Sequence, residues 1–398
     1  MLFDPSHHEP LTDRVWDADH ARAAIAAIAT DTEASFDAQA LWRSHPRDDE
    51  DGPLPEVTSL YLGASGVIWA LHHLARHGAV ELQLDWAPVA AGLVDRYLEQ
   101  PDFQDLVEGA VPSLWMGEAG VLVVAHTLAP SASLEDRLLA AVRANATNPA
   151  LELMWGSPGT MIAANALHER TGDERWHETW LESADRLWAE WRDDLWMQDL
   201  YGKQRCLLGP AHGFAGNVVA LAHGDLLDPA RRAELESRAV AALVKYVHRD
   251  GELCQWWPMS PVPEGEESRH LRTQWCHGAP GIVASFGSFA PADDQLTELL
   301  VGGGELTWLA GPLVKGAGLC HGTAGNGYAF LKLFERTGNE LWLERARAFA
   351  MHSIEQVSHA RSTHGRGRHT LWTGDPGTAL YLQDCLTGAA AVPTVDYL

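Results

Sequence analysis

A short Gly-x-x-Gly motif recurs seven times along the 398-residue chain, and this repeat constrains the fold more than any other feature. The copies begin at Gly63, Gly117, Gly156, Gly213, Gly278, Gly322 and Gly374. One such motif carries little information, but each copy here opens a mostly apolar segment, such as residues Gly327 to Phe334. A helix that is apolar on most sides is a buried helix. The repeat therefore predicts seven buried helices.

Between the motifs lie segments that predict amphipathic helices with one charged face. The clearest are Glu174 to Arg192, Pro229 to Arg249 and Glu340 to Val357, and the first is expected at about Asp17 to Trp42. Two junctions, at Gly172-Asp173 and Gly338-Asn339, have a glycine that ends one helix before a residue that caps the next. No alternating strand pattern competes with these helices, so we predict an all-α fold.

The alternation of outer amphipathic and buried inner helices limits the architecture to two forms. Helical hairpins either extend as a solenoid with polar caps or close into a ring. Neither end of the array has a polar cap, and seven hairpins can close. We therefore predict an α/α toroid of seven helical hairpins that forms a single domain over residues 1–398. In such a ring all seven Gly-x-x-Gly turns face a common centre.

The two residues before each first glycine carry the chemistry of these turns. Thiols share one position in the fifth and sixth repeats, and imidazoles share the next position in the fourth, fifth and sixth. The seven pairs are Tyr61-Leu62, Trp115-Met116, Met154-Trp155, Ala211-His212, Cys276-His277, Cys320-His321 and Trp372-Thr373. If the turns converge, three imidazoles and two thiols gather at one mouth of the ring.

Two cysteines with histidine form a ligand set that favours zinc. Helix N-termini also favour thiolates over thiols, which assists metal binding at these positions. Two arrangements are open. Cys276, His277, Cys320 and His321 form a closed structural site, or three of them bind and leave one position for a substrate. Spacing alone does not decide between these arrangements.

Composition excludes several classes of partner. The chain has 29 basic and 54 acidic side chains, a formal charge of −25. Such a charge repels nucleic acids and anionic membranes, and it either serves solubility or favours a cationic or neutral peptide as partner. No apolar run reaches the roughly 18 residues of a membrane span, and the start lacks a signal-peptide pattern. Five cysteines do not indicate a disulfide framework, so we expect a cytoplasmic protein.

Three segments resemble the signature motifs of the lanthionine synthetase C-like (LanC-like) family. They are Trp275-Cys-His-Gly-Ala-Pro-Gly281, Gly318-Leu-Cys-His-Gly-Thr-Ala-Gly-Asn326 and Ala211-His-Gly-Phe-Ala-Gly216. Their order and the sevenfold repeat also match, so the resemblance covers almost the whole chain. It implies a toroid with one zinc ion, held by Cys276, Cys320 and His321. It also implies that His277 is not a ligand and that the open position receives a thiol.

Members of this family add a thiol to dehydroalanine or dehydrobutyrine. The thiol is a cysteine of the same precursor peptide in bacterial cyclases and glutathione in eukaryotic relatives. The resemblance assigns His212 as acid/base and Arg272 to enolate stabilisation. Trp275 would exclude water, and Glu152 would orient His212 or Arg272. Lys315 lies where glutathione-binding relatives have a lysine.

Three interpretations follow. The first is an enzyme that joins a thiol to a dehydrated precursor peptide or dehydrated protein, either as a peptide cyclase or with glutathione. It would need a separate dehydratase, because no kinase or dehydratase segment is fused to this sequence. The second is a non-catalytic peptide-binding scaffold in which zinc has only a structural role. The third, a sugar-processing (α/α) barrel, would need paired carboxylates where the shared positions hold Cys and His.

Overall fold

The structure, a computed structural model, describes residues 2–48, 56–104, 106, 109–224, 226–262 and 271–398. Fourteen α-helices lie within these residues, none of them long and apolar enough to cross a bilayer. They are α1 (Ala18–Ala34), α2 (Ala64–Arg76), α3 (Ala87–Glu99), α4 (Glu118–Leu128), α5 (Ala132–Asn145), α6 (Ser157–Thr171), α7 (Glu174–Ala189), α8 (Phe214–Ala222), α9 (Pro229–Tyr246), α10 (Ala279–Phe286), α11 (Asp294–Ala310), α12 (Thr323–Thr337), α13 (Glu340–His364) and α14 (Asp375–Thr387).

The even-numbered helices form an inner ring, and the odd-numbered helices surround it. Each inner helix contacts the next one along the chain, and α14 contacts α2, so the ring is closed. Helix α1 makes its main contacts with α14, which lies at the other end of the sequence. The predicted all-α toroid of seven hairpins is therefore confirmed, with the first outer helix completing the last hairpin.

The second glycine of each turn explains how closely the inner helices approach one another. A Cβ atom on Gly120 would lie 2.0 Å from the Leu114 carbonyl oxygen and 2.8 Å from Cβ of Leu60 in the preceding turn. On Gly66 it would meet Leu371 of the last turn in the same way, at 2.8 Å. Only glycine leaves this space open, so the repeat encodes the contact that closes the ring.

The backbones of the turns also converge as predicted. Hydrogen bonds join equivalent positions of neighbouring turns, from the Cys276 amide to the Cys320 carbonyl at 3.0 Å and from the Cys320 amide to the Trp372 carbonyl at 2.8 Å. The series continues from Trp372 to Tyr61 and from Tyr61 to Trp115. The position that holds Cys276 and Cys320 therefore lies around the axis of the ring.

The two predicted helix junctions are confirmed. Gly172 and Gly338 end α6 and α12 in the left-handed region, with φ of 64° and 65°. Asp173 and Asn339 then cap α7 and α13 through their side-chain oxygens, which accept from backbone N–H groups.

Several predicted helix ends differ from the structure. Helix α1 ends at Ala34 and not at Trp42, because the Asp37 side chain accepts from the Gln39 and Ala40 amides and turns the chain. Trp42 folds back, and its indole donates to the Thr32 carbonyl at 2.8 Å. The other differences are that α7 ends at Ala189, α9 ends at Tyr246 and α13 continues to His364.

Two short antiparallel hairpins depart from the expectation of no strands. One joins β1 (Gln198–Leu200) to β2 (Lys203–Arg205), and the other joins β3 (Val247–Asp250) to β4 (Leu253–Trp256). The second replaces the predicted end of α9. Its two-residue loop is Gly251-Glu252, with Gly251 at a φ of 62°, and a glycine at the first loop position favours a tight hairpin turn.

Aromatic rings and the segment 389–398 fill the axis of the toroid. The Trp372 ring centroid lies 4.6 Å from that of Trp115 and 4.6 Å from that of Trp275. The indoles of Trp372 and Trp115 donate to the hydroxyl and carbonyl of buried Thr394, at 3.1 Å and 3.4 Å. The Gly-x-x-Gly turns therefore rest on a packed axis of aromatic side chains.

Candidate metal and catalytic site

Three of the side chains that precede the turns form a compact group at the mouth of the ring. The ligand atoms of Cys276, Cys320 and His321 all lie within 4.8 Å of one another. Both thiols are buried, and His321 is partly exposed. Zinc lies about 2.0–2.3 Å from sulfur and nitrogen ligands, so one ion fits among these atoms. The donor set and its spacing suit zinc.

The surroundings of the two thiols favour a thiolate at Cys276. The neighbouring Cys320 thiol, opposed by burial, holds the pKa of Cys276 well below its usual value, whereas the proximity of Cys276 and burial both raise the pKa of Cys320. The Gln274 side-chain amide donates to the Cys276 sulfur at 2.9 Å. The Tyr61 hydroxyl interacts with the thiol of Cys320. The pocket thus contains donors that stabilise negative sulfur.

A histidine–carboxylate pair lies in the neighbouring turn. Nδ1 of His212 is 2.9 Å from a carboxylate oxygen of Glu152, which is fully buried. Glu152 also accepts from the Met154 and Trp155 amides, at 3.0 Å and 2.6 Å. Burial alone would lower the pKa of His212, but the hydrogen bond and charge of Glu152 raise it. The carboxylate thus fixes the ring and favours its protonated form.

A cavity of about 390 Å³ opens in front of this pair. The loops before α8 and α10 and the β1–β2 hairpin form its walls. Its lining residues are Gln198, Leu200, Tyr201, Lys203, Arg205, Leu207, His212, Pro258, Met259, Arg272 and His277. Arg272 is half-buried there, so its guanidinium and the His212 ring line the same space.

Trp275, His277 and Lys315 occupy three different environments. Trp275 is buried in the axial aromatic group and does not line the cavity. His277 lies outside the three-ligand group, and its ring stacks 6.0 Å from that of His212. Burial is the main cause that lowers the pKa of His277 to about 4. Lys315 is exposed, but its charge also acts on His277 and Cys320.

Sequence reasoning missed three features of this site: the contact of Tyr61 with Cys320, the Gln274 contact and the β1–β2 wall. Tyr61 occupies in the first repeat the position that Cys276 and Cys320 hold in theirs, so the repeat alignment carried a signal. The sequence contained no signal for the Gln274 contact, because nothing in it determines that the side-chain amide of Gln274 points toward Cys276.

Fold and site together define a class of protein, the helical toroids with a Cys₂His group at the mouth of the ring. The sequence model described as lanthionine synthetase C-like protein matches residues 53–396. The chain therefore belongs to the lanthionine synthetase C-like family.

Two curated relatives match part of the chain. Glutathione S-transferase LANCL1 from Danio rerio is 32% identical over 206 residues, which are 49% of this chain and 45% of that protein. LanC-like protein GCL1 from Arabidopsis thaliana is 35% identical over 148 residues, 36% of this chain and 31% of that protein. The matches thus span less than half the length of each relative.

One solved structure, named nisin cyclase, shares the fold. Its TM-score with this chain is 0.58 at 16% sequence identity, with 82% of this chain and 88% of that chain covered. At this identity the likeness extends to the architecture and supports the toroid.

Proposed function

We propose that this protein catalyses the zinc-dependent addition of a thiol to dehydroalanine or dehydrobutyrine residues, which forms a thioether. The observation that carries the proposal is the Cys276, Cys320 and His321 group beside the His212–Glu152 pair at one mouth of the ring. Family membership and the names of the relatives point to the same chemistry.

Cys276, Cys320 and His321 would hold the metal and leave one tetrahedral position for the substrate. A free thiol titrates near a pKa of about 8.5, and a zinc ion held by these residues would supply the positive charge that makes the substrate thiol a thiolate at neutral pH. Gln274 donates to the sulfur of Cys276, and the Tyr61 hydroxyl lowers the pKa of the Cys320 thiol, so both favour the thiolate form of these residues.

Attack of sulfur on the β-carbon of the alkene produces an enolate, which needs a balancing charge and then a proton at its α-carbon. Arg272 lines the cavity and supplies a permanent positive charge. His212 binds Glu152 through Nδ1, so Nε2 is the nitrogen that remains to hold and transfer the proton. Trp275, in the axial aromatic group, keeps water from reaching the site through the ring.

The non-catalytic scaffold is the second candidate, and the His212–Glu152 pair argues against it. A buried carboxylate that orients an imidazole toward a cavity is an arrangement of acid–base catalysis, and a structural metal does not need it. The cysteines are free thiols, which fits the reducing cytoplasm proposed for the protein. A separate dehydratase would supply the dehydrated peptide or protein.

The direct test offers the purified protein a dehydroalanine peptide, with and without glutathione, and measures intact mass and free thiol. A mass gain of one glutathione identifies intermolecular addition, and Lys315 would then contribute to glutathione binding. Loss of a peptide thiol without a mass change identifies cyclisation. If neither product forms with zinc present, the scaffold is the better account.

A further inference from the structure

The β1–β2 hairpin presents two positive charges to the cavity. Lys203 and Arg205 lie two residues apart on β2, so their side chains share one face of the strand. The register pairs them with Leu200 and Gln198 on β1. All four residues line the cavity, together with Arg272.

The positive charge of this wall is opposite in sign to the net charge of the protein. The whole chain has a formal charge of −25, yet no lining residue among those that the structure describes is Asp or Glu. In the same described part of the chain, Lys203 and Arg205 form no salt bridge, whereas Arg175, Arg231 and Arg345 each pair with carboxylates. Among the described residues, the lining of the cavity is thus positively charged on a molecule with a negative net charge.

The hairpin is fixed in place, so these charges have a defined position. The Tyr201 hydroxyl at its turn accepts from the Trp155 indole at 2.8 Å, and the Tyr201 ring lies 6.5 Å from that of His212. The buried Gln198 side chain accepts from the Leu207 amide at 2.8 Å. These contacts tie the basic wall to the turn that carries Glu152 and to the segment that leads to His212.

We propose that Lys203 and Arg205, with Arg272, form a carboxylate subsite, and that the preferred substrate carries an acidic group beside its reacting atoms. The expectation of a cationic or neutral peptide, drawn from net charge, would then fail at the site itself. The carboxylate has two possible sources, an acidic residue flanking the dehydroamino acid or a carboxylate of the added thiol. The link to thioether formation rests on the proposed function, but the binding preference does not.

The binding test uses zinc-loaded protein and unreactive peptides that have alanine in place of dehydroalanine and acidic, neutral or basic flanks. In the Lys203→Glu, Arg205→Glu variant, affinity for the acidic peptide should fall about tenfold and affinity for the basic peptide should rise. The matched control, Arg76→Glu with Arg186→Glu, changes net charge equally at exposed positions outside the cavity lining. It should leave the order of affinities unchanged.

Equal weakening of all three peptides, or an equal effect of the control pair, would overturn the subsite. Because this measurement needs no turnover, it stands even if no thioether forms.

Kinetics then separate the two sources of the carboxylate. A neutral dehydroalanine peptide is paired with glutathione or its diethyl ester, and an acidic peptide is paired with the neutral thiol 2-mercaptoethanol. In the hairpin variant the KM should rise for the carboxylate-bearing partner that uses the subsite, with kcat unchanged. A KM that is unaltered for both partners would contradict the proposal.

Discussion

At the scale of single residues, the repeat gives two histidines equivalent positions, but the structure brings only one of them to the two cysteine thiols. His277 and His321 occupy the same position in successive turns, yet only His321 lies with Cys276 and Cys320. His277 instead stacks against His212. Equivalent positions in the sequence repeat therefore do not have equivalent contacts in the site.

The metal content of two single variants tests this difference. We expect His277→Ala to retain one zinc per chain and His321→Ala to lose most of it, because only the latter removes a proposed ligand. Inductively coupled plasma analysis of folded, desalted protein measures both. Loss of zinc from His277→Ala alone would reverse the assignment of the two histidines.

His212 is expected to act on the proton and not on the metal. His212→Asn should keep zinc and fold but lose activity by about 10²–10⁴-fold, the usual contribution of a positioned acid or base. Without a fixed donor, water protonates the enolate from either face, so residual product should be a mixture of α-carbon epimers. Chiral analysis of the hydrolysed product measures this. A single epimer formed at a near-normal rate would place the proton source elsewhere.

Glu152 is expected to set the pH range of activity through His212. Its charge raises the pKa of His212 against the effect of burial, and so keeps the imidazole protonated to higher pH. In Glu152→Gln the alkaline limb of the kcat/KM profile should move to lower pH. Glu152→Asp, which keeps the charge, serves as the control and should stay closer to wild type. Identical profiles for Gln and Asp would show that this charge does not matter.

The sequence predicted the residues of this site better than their contacts. Cys276, Cys320, His321, His212 and Glu152 follow from motifs, and the structure brings them to one mouth of the ring. Trp275 has a motif position next to Cys276, but its ring turns into the axial aromatic group. Neighbours in sequence can face opposite sides of a turn, and spacing does not give that direction.

At the scale of elements, the second glycine of each turn determines how the inner helices meet. A Cβ atom on Gly325 would lie 1.6 Å from the Leu319 carbonyl oxygen and 3.1 Å from Cβ of Trp275. The turn that carries Cys320 and His321 would have to shift. Gly92, in outer helix α3, has nothing within 4 Å of its Cβ position.

These two glycines form a matched pair for mutation. Gly325→Ala should lower the free energy of unfolding by roughly 2–4 kcal/mol and weaken zinc binding. Gly92→Ala should raise it by about 0.5–1 kcal/mol, since alanine favours an exposed helix. Urea unfolding and zinc titration measure both. If Gly325→Ala kept wild-type stability, the close approach would not be required.

Helix existence was predictable, whereas helix ends and the strands were less so. At Gly172-Asp173 and Gly338-Asn339 the glycine ends one helix and the next residue caps the following one. Both effects involve only neighbouring backbone groups, so the sequence alone is sufficient to predict these helix ends. Helix α1 ends early because Asp37 turns the chain and Trp42 packs back on it, which depends on tertiary contacts. The β3–β4 hairpin did have a local signal, Gly251 at the first loop position, but the amphipathic pattern before it predicted a longer helix.

At the scale of the whole molecule, closure of the ring was predictable because every turn repeats one contact. Each second glycine meets the preceding turn, and Gly66 meets Leu371 of the last. The axial position of segment 389–398 could not be predicted, because its partners Trp115 and Trp372 are distant in sequence. Net charge likewise averages over the surface, so it did not reveal the basic wall of the cavity.

The most direct test of the central claim is the metal dependence of thioether formation. The protein is stripped of metal with a chelator, desalted and offered a dehydroalanine peptide with a thiol, and product is followed by intact mass. We predict that addition falls to the uncatalysed rate and returns when one equivalent of zinc is restored, but not in the Cys276→Ala, Cys320→Ala variant. Undiminished addition by the metal-free protein, or by that variant, would contradict the account.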